Sequence, residues 1–233
     1  MHYHLEIIMP PTDNIDEAIE SIMAPFGEDC NAERDNIDCC RQSFWDWYQI
    51  GGRYAGEKYM AQFDKDKIEE FYEWLKDEKV TVSGLVWGKQ ELSPASQIDK
   101  VDMKWNEMFP EKTFQSCPIF FHSNRNSGPL DMDICKVSEI PKEATAYRVI
   151  VAAPGFMKIG EDTYTYSGPL EAFYMVEQSF YNGVSFHDST WDKKILSAIE
   201  VSQKKISDRA SEDYKNTHTI HDDWIAVTVD YHS

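Results

Sequence analysis

"HYHLEIIM" at residues 2–9 and "DWIAVTVDYH" at residues 223–232 decide how this chain folds. Both alternate bulky and polar residues, and both are rich in β-branched and aromatic side chains, so each reads as a strand. Behind the first, Pro10 and Pro11 stop the strand. "TDNIDEAIESIMAPFG" then sets Ile15, Ala18, Ile19, Ile22 and Met23 on one helical face, with Asp13 or Asn14 as cap and Pro25-Phe26-Gly27 as terminator. Ahead of the last strand, "ATAYRVIVAAPG" reads as a strand ending in a turn. "DTYTYSG" is strand-like, and "EAFYMVEQSFY" fits either a strand or a short helix. "STWDKKILSAIEVSQKKISDRASEDY" is the strongest helix, with Trp191, Ile195, Ala198, Ile199, Ser202 and Ile206 on one face.

The order β-α-β-β-α-β predicts an α+β fold of the ferredoxin-like kind. Residues 1–27 and 144–233 form its core, and residues 28–143 are a long insertion that forms a subdomain over the sheet. Within the insertion, Ile68, Phe71, Tyr72 and Leu75 mark one helix, and Ile98, Val101, Trp105 and Met108 mark another. "CPIFFH" reads as a short buried strand, and residues 123–143 read as irregular.

In such a sheet the first and last strands are antiparallel neighbours. With a period of two, His2, His4 and Glu6 then share a face with Thr228, Asp230 and His232, opposite the apolar residues that the helices cover. Imidazoles and carboxylates within cross-strand reach suit a divalent metal such as zinc, manganese or iron, held by His2, His4, Asp230 and His232. They also suit general acid–base work, with His4, Asp230 and His232 as the catalytic groups. The bland alternative is an open sheet face that is polar because water covers it. His218 and His221 stand three apart beside Asp222 and Asp223, but on what reads as a loop. The pattern around His122 and His187 does not match a paired histidine phosphoesterase motif.

Within the insertion, after a polar, cysteine-bearing stretch from Glu28 to Gln42, comes "FWDWYQIGGRYAG", residues 44–56. Gly51 and Gly52 permit positive φ and a close backbone approach. Arg53 offers a planar fork for phosphate or carboxylate, and Trp45, Trp47, Tyr48 and Tyr54 offer stacking faces. Together these residues fit a nucleotide-like ligand, although they match neither a phosphate-binding loop nor a dinucleotide fingerprint. Alternatively the aromatics anchor the insertion and Arg53 pairs with an acid such as Asp46.

Composition narrows the classes. With 41 acidic and 23 basic residues the net charge is −18, which argues against direct nucleic-acid binding. The same charge suits solubility, or imitation of DNA towards a nucleic-acid-binding host protein. No apolar run approaches a membrane span, and the N-terminus lacks the features of a signal peptide. The five cysteines then read as free thiols in a reducing cytoplasm.

"WDWYQIGGRY" resembles the W-D-W-Y-x-I-G-G-R-W hallmark of a group of tailed-bacteriophage proteins of no assigned activity. Further parallels are the strand from Tyr3 to Met9, the strand and turn from Tyr147 to Gly155, the helix from Trp191, and Val229-Asp230-Tyr231-His232 at the end. The chain departs at Tyr54, where tryptophan is usual, at Phe156-Met157, where a tryptophan commonly follows the turn, and in its longer middle. The resemblance implies a phage accessory protein in the infected host cytoplasm and transfers no mechanism. It draws attention to Asp230 and His232. Two classes follow: a counter-defence protein that binds a nucleotide-like molecule or a host defence protein, and a metal-assisted hydrolase of a phosphorylated or nucleotide substrate with Arg53 as anion clamp.

Overall fold

A computed structural model describes residues 1–30, 43–78, 95–112, 129, 132–155, 157–158, 164–165, 168–177, 184–185 and 217–233. The elements are β1 (His2–Met9), α1 (Ile15–Met23), β2 (Trp47–Ile50), α2 (Glu57–Met60), α3 (Lys65–Asp77), α4 (Ala95–Met108) and β3 (Ile134–Lys136). They continue with β4 (Thr145–Ala146), β5 (Arg148–Pro154), β6 (Met157–Lys158), β7 (Tyr164–Thr165), β8 (Leu170–Glu177), β9 (Val184–Ser185) and β10 (Ile225–His232). None of the described helices is long and apolar enough to cross a membrane.

The main sheet runs β2-β10-β1-β5-β8, with β3 paired to the other half of β10. β1 and β10 are antiparallel neighbours as the alternation predicts, and the fold is α+β. The ferredoxin-like expectation does not hold for this sheet. That arrangement splits the first βαβ unit with an intervening strand, whereas β5 pairs β1 directly and in parallel, Leu5 opposite Arg148. β8 then lies outside β5 as its antiparallel hairpin partner. The last, first and second strands read from sequence therefore lie side by side with β8 outside them, while the strand-like "DTYTYSG" contributes β7 to a separate two-stranded sheet with β6. The helix read at residues 189–214 and the strand read at 117–122 lie outside the described residues.

One face of the sheet buries Leu5, Ile7, Met9, Ile150, Val227 and Val229 against Ala18, Ile19, Ile22 and Met23 of α1. Asn14 caps this helix by accepting the Glu17 N–H at 3.3 Å. The opposite face is divided. At one end Ile8, Val149, Val151 and Ala226 pack against Cys135, Ile140 and Trp224; at the other lie the polar residues of β1 and β10. Helices α3 and α4 share a separate aromatic core built on Phe63, Phe71, Trp105 and Phe109.

Residues 28–143 do more than cover the sheet, because they supply β2 and β3 to it. β3 falls in the stretch read as irregular; three residues carry too little periodicity to register. The ambiguous "EAFYMVEQSFY" resolves as strand over Leu170–Glu177. The free-thiol reading holds for buried Cys135 but not for Cys30, which is disulfide-bonded.

Candidate functional site

The β1–β10 register sets His2 opposite His232, His4 opposite Asp230 and Glu6 opposite Thr228. These six residues share the face that α1 does not cover. Water does not cover most of it either: His4, Glu6, Thr228 and Asp230 are all buried. The cover is the segment that follows β2.

β2 delivers the chain to this face by pairing with the end of β10, Ile50 opposite Val229 and Trp47 opposite His232. Gly51 and Gly52 then turn inward with φ of 74° and 58°, a region where side-chain-bearing residues are strained. Gly52 lies so close to Asp230 that an added Cβ would stand 2.4 Å from the Asp230 Cβ. The close approach foreseen for these glycines is real, and the group approached is a carboxylate of the same chain.

Asp230 spends both oxygens on that arrangement. Oδ2 accepts the Arg53 backbone N–H at 3.0 Å, and Oδ1 meets His2 Nδ1 at 2.8 Å. The Tyr54 ring lies flat on His4, with centroids 4.9 Å apart and planes 9° apart, and its hydroxyl donates to the His2 carbonyl at 2.9 Å. Burial and the nearby Asp230 charge raise the Tyr54 phenol above its ordinary pKa.

Deeper in, Lys58 of α2 reaches the sheet with its side chain fully buried. Its ammonium donates to Glu6 Oε2 at 2.7 Å and to the carbonyls of Ala226 and Asp133 at 3.1 and 3.2 Å. The other Glu6 oxygen accepts from the Thr228 hydroxyl at 2.6 Å and meets His4 Nε2 at 2.9 Å. Burial pushes the Glu6 carboxyl up, but the Lys58 charge and the His4 bond outweigh it and hold the group below its ordinary range. Asp133, also buried, accepts the Gly56 N–H at 2.7 Å. Lys58 and Asp133 carry no local sequence signal: a lone lysine beside Glu57 is an ordinary surface pattern, and Asp133 falls in the stretch read as irregular.

The remaining site residues form a rim. His232 Nδ1 meets Asp46 at 2.8 and 3.1 Å, and this bond holds the Asp46 carboxyl below its ordinary range. Asp46 therefore partners His232, where the sequence suggested Arg53. The His2 ring stands edge-on to Trp47 at 6.0 Å and to His232 at 5.3 Å. Trp47 is 45% exposed, and Arg53 is exposed while its backbone faces Asp230. Trp45 behaves differently, since its indole donates to the Met23 carbonyl at 2.9 Å and its ring meets Tyr48 edge-on. Trp45 and Tyr48 thus fasten the segment to the sheet and α1.

The four residues read as metal ligands are accordingly divided among separate pairs. Among the described residues, no group of three or more His, Cys, Asp or Glu side chains is arranged to hold an ion. His4, read as a catalytic base, lies beneath Tyr54 with Nε2 committed to Glu6. His218 is buried edge-on to Phe173, which packs on the apolar end of this face, while His122 and His187 lie outside the described residues. Comparison with known proteins yields no relative: no family model, curated protein or solved structure matches the chain.

Proposed function

We propose that this protein is a phage accessory protein that works by binding, in the cytoplasm of the infected host, as part of a counter-defence. Its ligand is an anionic aromatic molecule of the nucleotide class. The observation that supports this reading is the division of labour within residues 44–56. The backbone of Gly51-Gly52-Arg53 and the aromatics Trp45, Tyr48 and Tyr54 hold the segment down. The Arg53 side chain is left outside and exposed, and Trp47 is 45% exposed with one edge against the His2 ring.

An exposed indole supplies a stacking face, and a guanidinium supplies a fork for phosphate. The two are linked through the rim, since Trp47 contacts His2, His2 bonds Asp230, and Asp230 holds the Arg53 amide. Binding also fits the interior better than hydrolysis does, because Glu6 is engaged by His4 and Lys58, and Asp230 by His2 and the Arg53 amide. The phage origin rests on the W-D-W-Y-Q-I-G-G-R-Y resemblance, and the host-cell setting follows from it.

Native mass spectrometry of the protein recovered from infected cells tests the proposal. A small aromatic anion should be retained by the native chain and lost from Arg53→Ala and Trp47→Ala. Arg53→Ala should leave the unfolding free energy within about 0.5 kcal/mol of the native value, as expected at an exposed position. Recovery of the bare protein, or equal retention by both variants, overturns the proposal. Recovery of a nucleic-acid-binding host protein instead would favour imitation of DNA, the reading that the −18 charge supports.

A further inference from the structure

We propose that His2 and His232 form a two-histidine site for a divalent transition-metal ion, with Asp230 and Asp46 as the groups that orient the two rings. The site does not rest on the nucleotide reading, since it is argued from the two rings and their carboxylates alone and is tested with zinc, without a nucleotide.

His2 and His232 are directly opposite one another in the β1–β10 register, so their side chains leave the same face at neighbouring points. Each ring is fixed by its own carboxylate through the same nitrogen. His2 Nδ1 meets Asp230 at 2.8 Å, and His232 Nδ1 meets Asp46 at 2.8 Å. An ionised carboxylate only accepts hydrogen bonds, so Nδ1 must carry the proton in each pair. With Nδ1 as the donor, Nε2 is the nitrogen left to offer a lone pair to an ion. A carboxylate behind Nδ1 with Nε2 in front is how proteins prepare histidines for metals, because it sets the tautomer and makes the ligand more basic.

The spacing agrees with this chemistry. With Nε2 about 2.1 Å from an ion, two imidazoles on one tetrahedral centre have ring centres about 5 Å apart. The observed separation is 5.3 Å, with the planes 69° apart. Both rings are accessible, His2 at 24% and His232 at 41% side-chain exposure. Trp47 packs edge-on against His2, with ring centroids 6.0 Å apart. No third protein donor joins them among the described residues, so the remaining positions fall to water or to a bound molecule. Such an open site exchanges its ion, unlike a closed structural zinc centre. Imidazole donors suit zinc, nickel and copper, while magnesium and calcium prefer oxygen.

The other residues read from sequence as ligands change role. His4 has given Nε2 to Glu6 and lies under Tyr54, and Asp230 has both oxygens engaged, so Asp230 acts behind His2 instead of on the ion.

Calorimetric titration of the untagged full chain with zinc chloride, after dialysis against chelator, tests the site. One ion per chain should bind, and His2→Gln and His232→Gln should each weaken binding at least tenfold. Asp46→Asn should weaken it by roughly ten- to a hundredfold through the ring it orients. His221→Gln, at an exposed histidine elsewhere, should change nothing. In the native chain, zinc should also shift the ring resonances of His2 and His232 before those of His221, a readout that needs no variant to fold. Absence of binding at millimolar zinc overturns the proposal. So does binding that His232→Gln leaves intact, or shifts that spread evenly over all the histidines.

Discussion

Lys58→Met should lower the unfolding free energy at neutral pH by about 3–5 kcal/mol, the cost of stripping one partner from a buried ion pair. Both side chains are fully buried, and the ammonium also serves two backbone carbonyls. Removing it leaves the Glu6 carboxylate charged in a dry site and two acceptors unfilled. The double variant Glu6→Gln/Lys58→Met should recover part of the loss. It removes the stranded charge and keeps an acceptor for Thr228 and His4.

The pH dependence gives the same argument a sign. In the native chain the Glu6 pKa lies below its ordinary value of 4.5. Its contribution to stability is therefore complete above that value and is lost as the pH falls through the lowered folded pKa. In Lys58→Met the main lowering influence is gone and burial dominates, so the folded pKa rises and acidification relieves the variant. Urea unfolding at neutral pH and near pH 4.5 measures both trends. The gap between native and Lys58→Met should narrow on acidification. A gap that is constant with pH, or below about 1 kcal/mol throughout, would mean that the pair is not buried as described.

Gly52→Ala is the second large effect, with an expected loss of about 2–4 kcal/mol. Two causes add: an alanine at φ of 58° is strained, and its Cβ collides with the Asp230 side chain. Asp230 cannot move aside cheaply, because both its oxygens are bonded and its backbone lies in the sheet. Chemical denaturation measures the loss. A value within about 0.5 kcal/mol, the usual range of a harmless surface change, would show that the segment does not press on β10. Arg53→Ala next door is expected to be nearly silent in the same assay. The contrast between adjacent positions separates the anchoring role from the binding role.

How much of this was legible in the sequence follows from the range of each signal. Alternation is a local property, so the strands at 2–9 and 225–232 could be read along with the face each residue takes. Their mutual register follows from one assumption about neighbours, and it brought His2, His4, Glu6, Thr228, Asp230 and His232 together. The order of β5 and β8 is not local. A parallel β1–β5 contact and a split arrangement use the same elements in the same sequence order, and periodicity does not choose between them. Lys58 is the clearest illegible residue. A lysine after Gly-Glu reads as solvated, and only the distant partners Glu6, Ala226 and Asp133 make it an interior one. Arg53 shows a subtler limit. The motif marks the position, but the sequence cannot say that its backbone faces the sheet while its side chain faces out. Gly51-Gly52 signals a close approach from sequence, but not that the group approached is the Asp230 carboxylate of β10.

Residues 51–56 are fastened to the polar face of the sheet by their backbone and by the Tyr54 ring, leaving the Arg53 side chain outside for contact. Hydrogen exchange at the Arg53 and Gly56 amides tests it most directly, since each donates to a carboxylate, Asp230 in one case and Asp133 in the other. Both amides should exchange as slowly as those in the paired strands β1 and β10, and Asp230→Ala should release Arg53. Exchange of both at open-loop rates in the native protein would contradict the account.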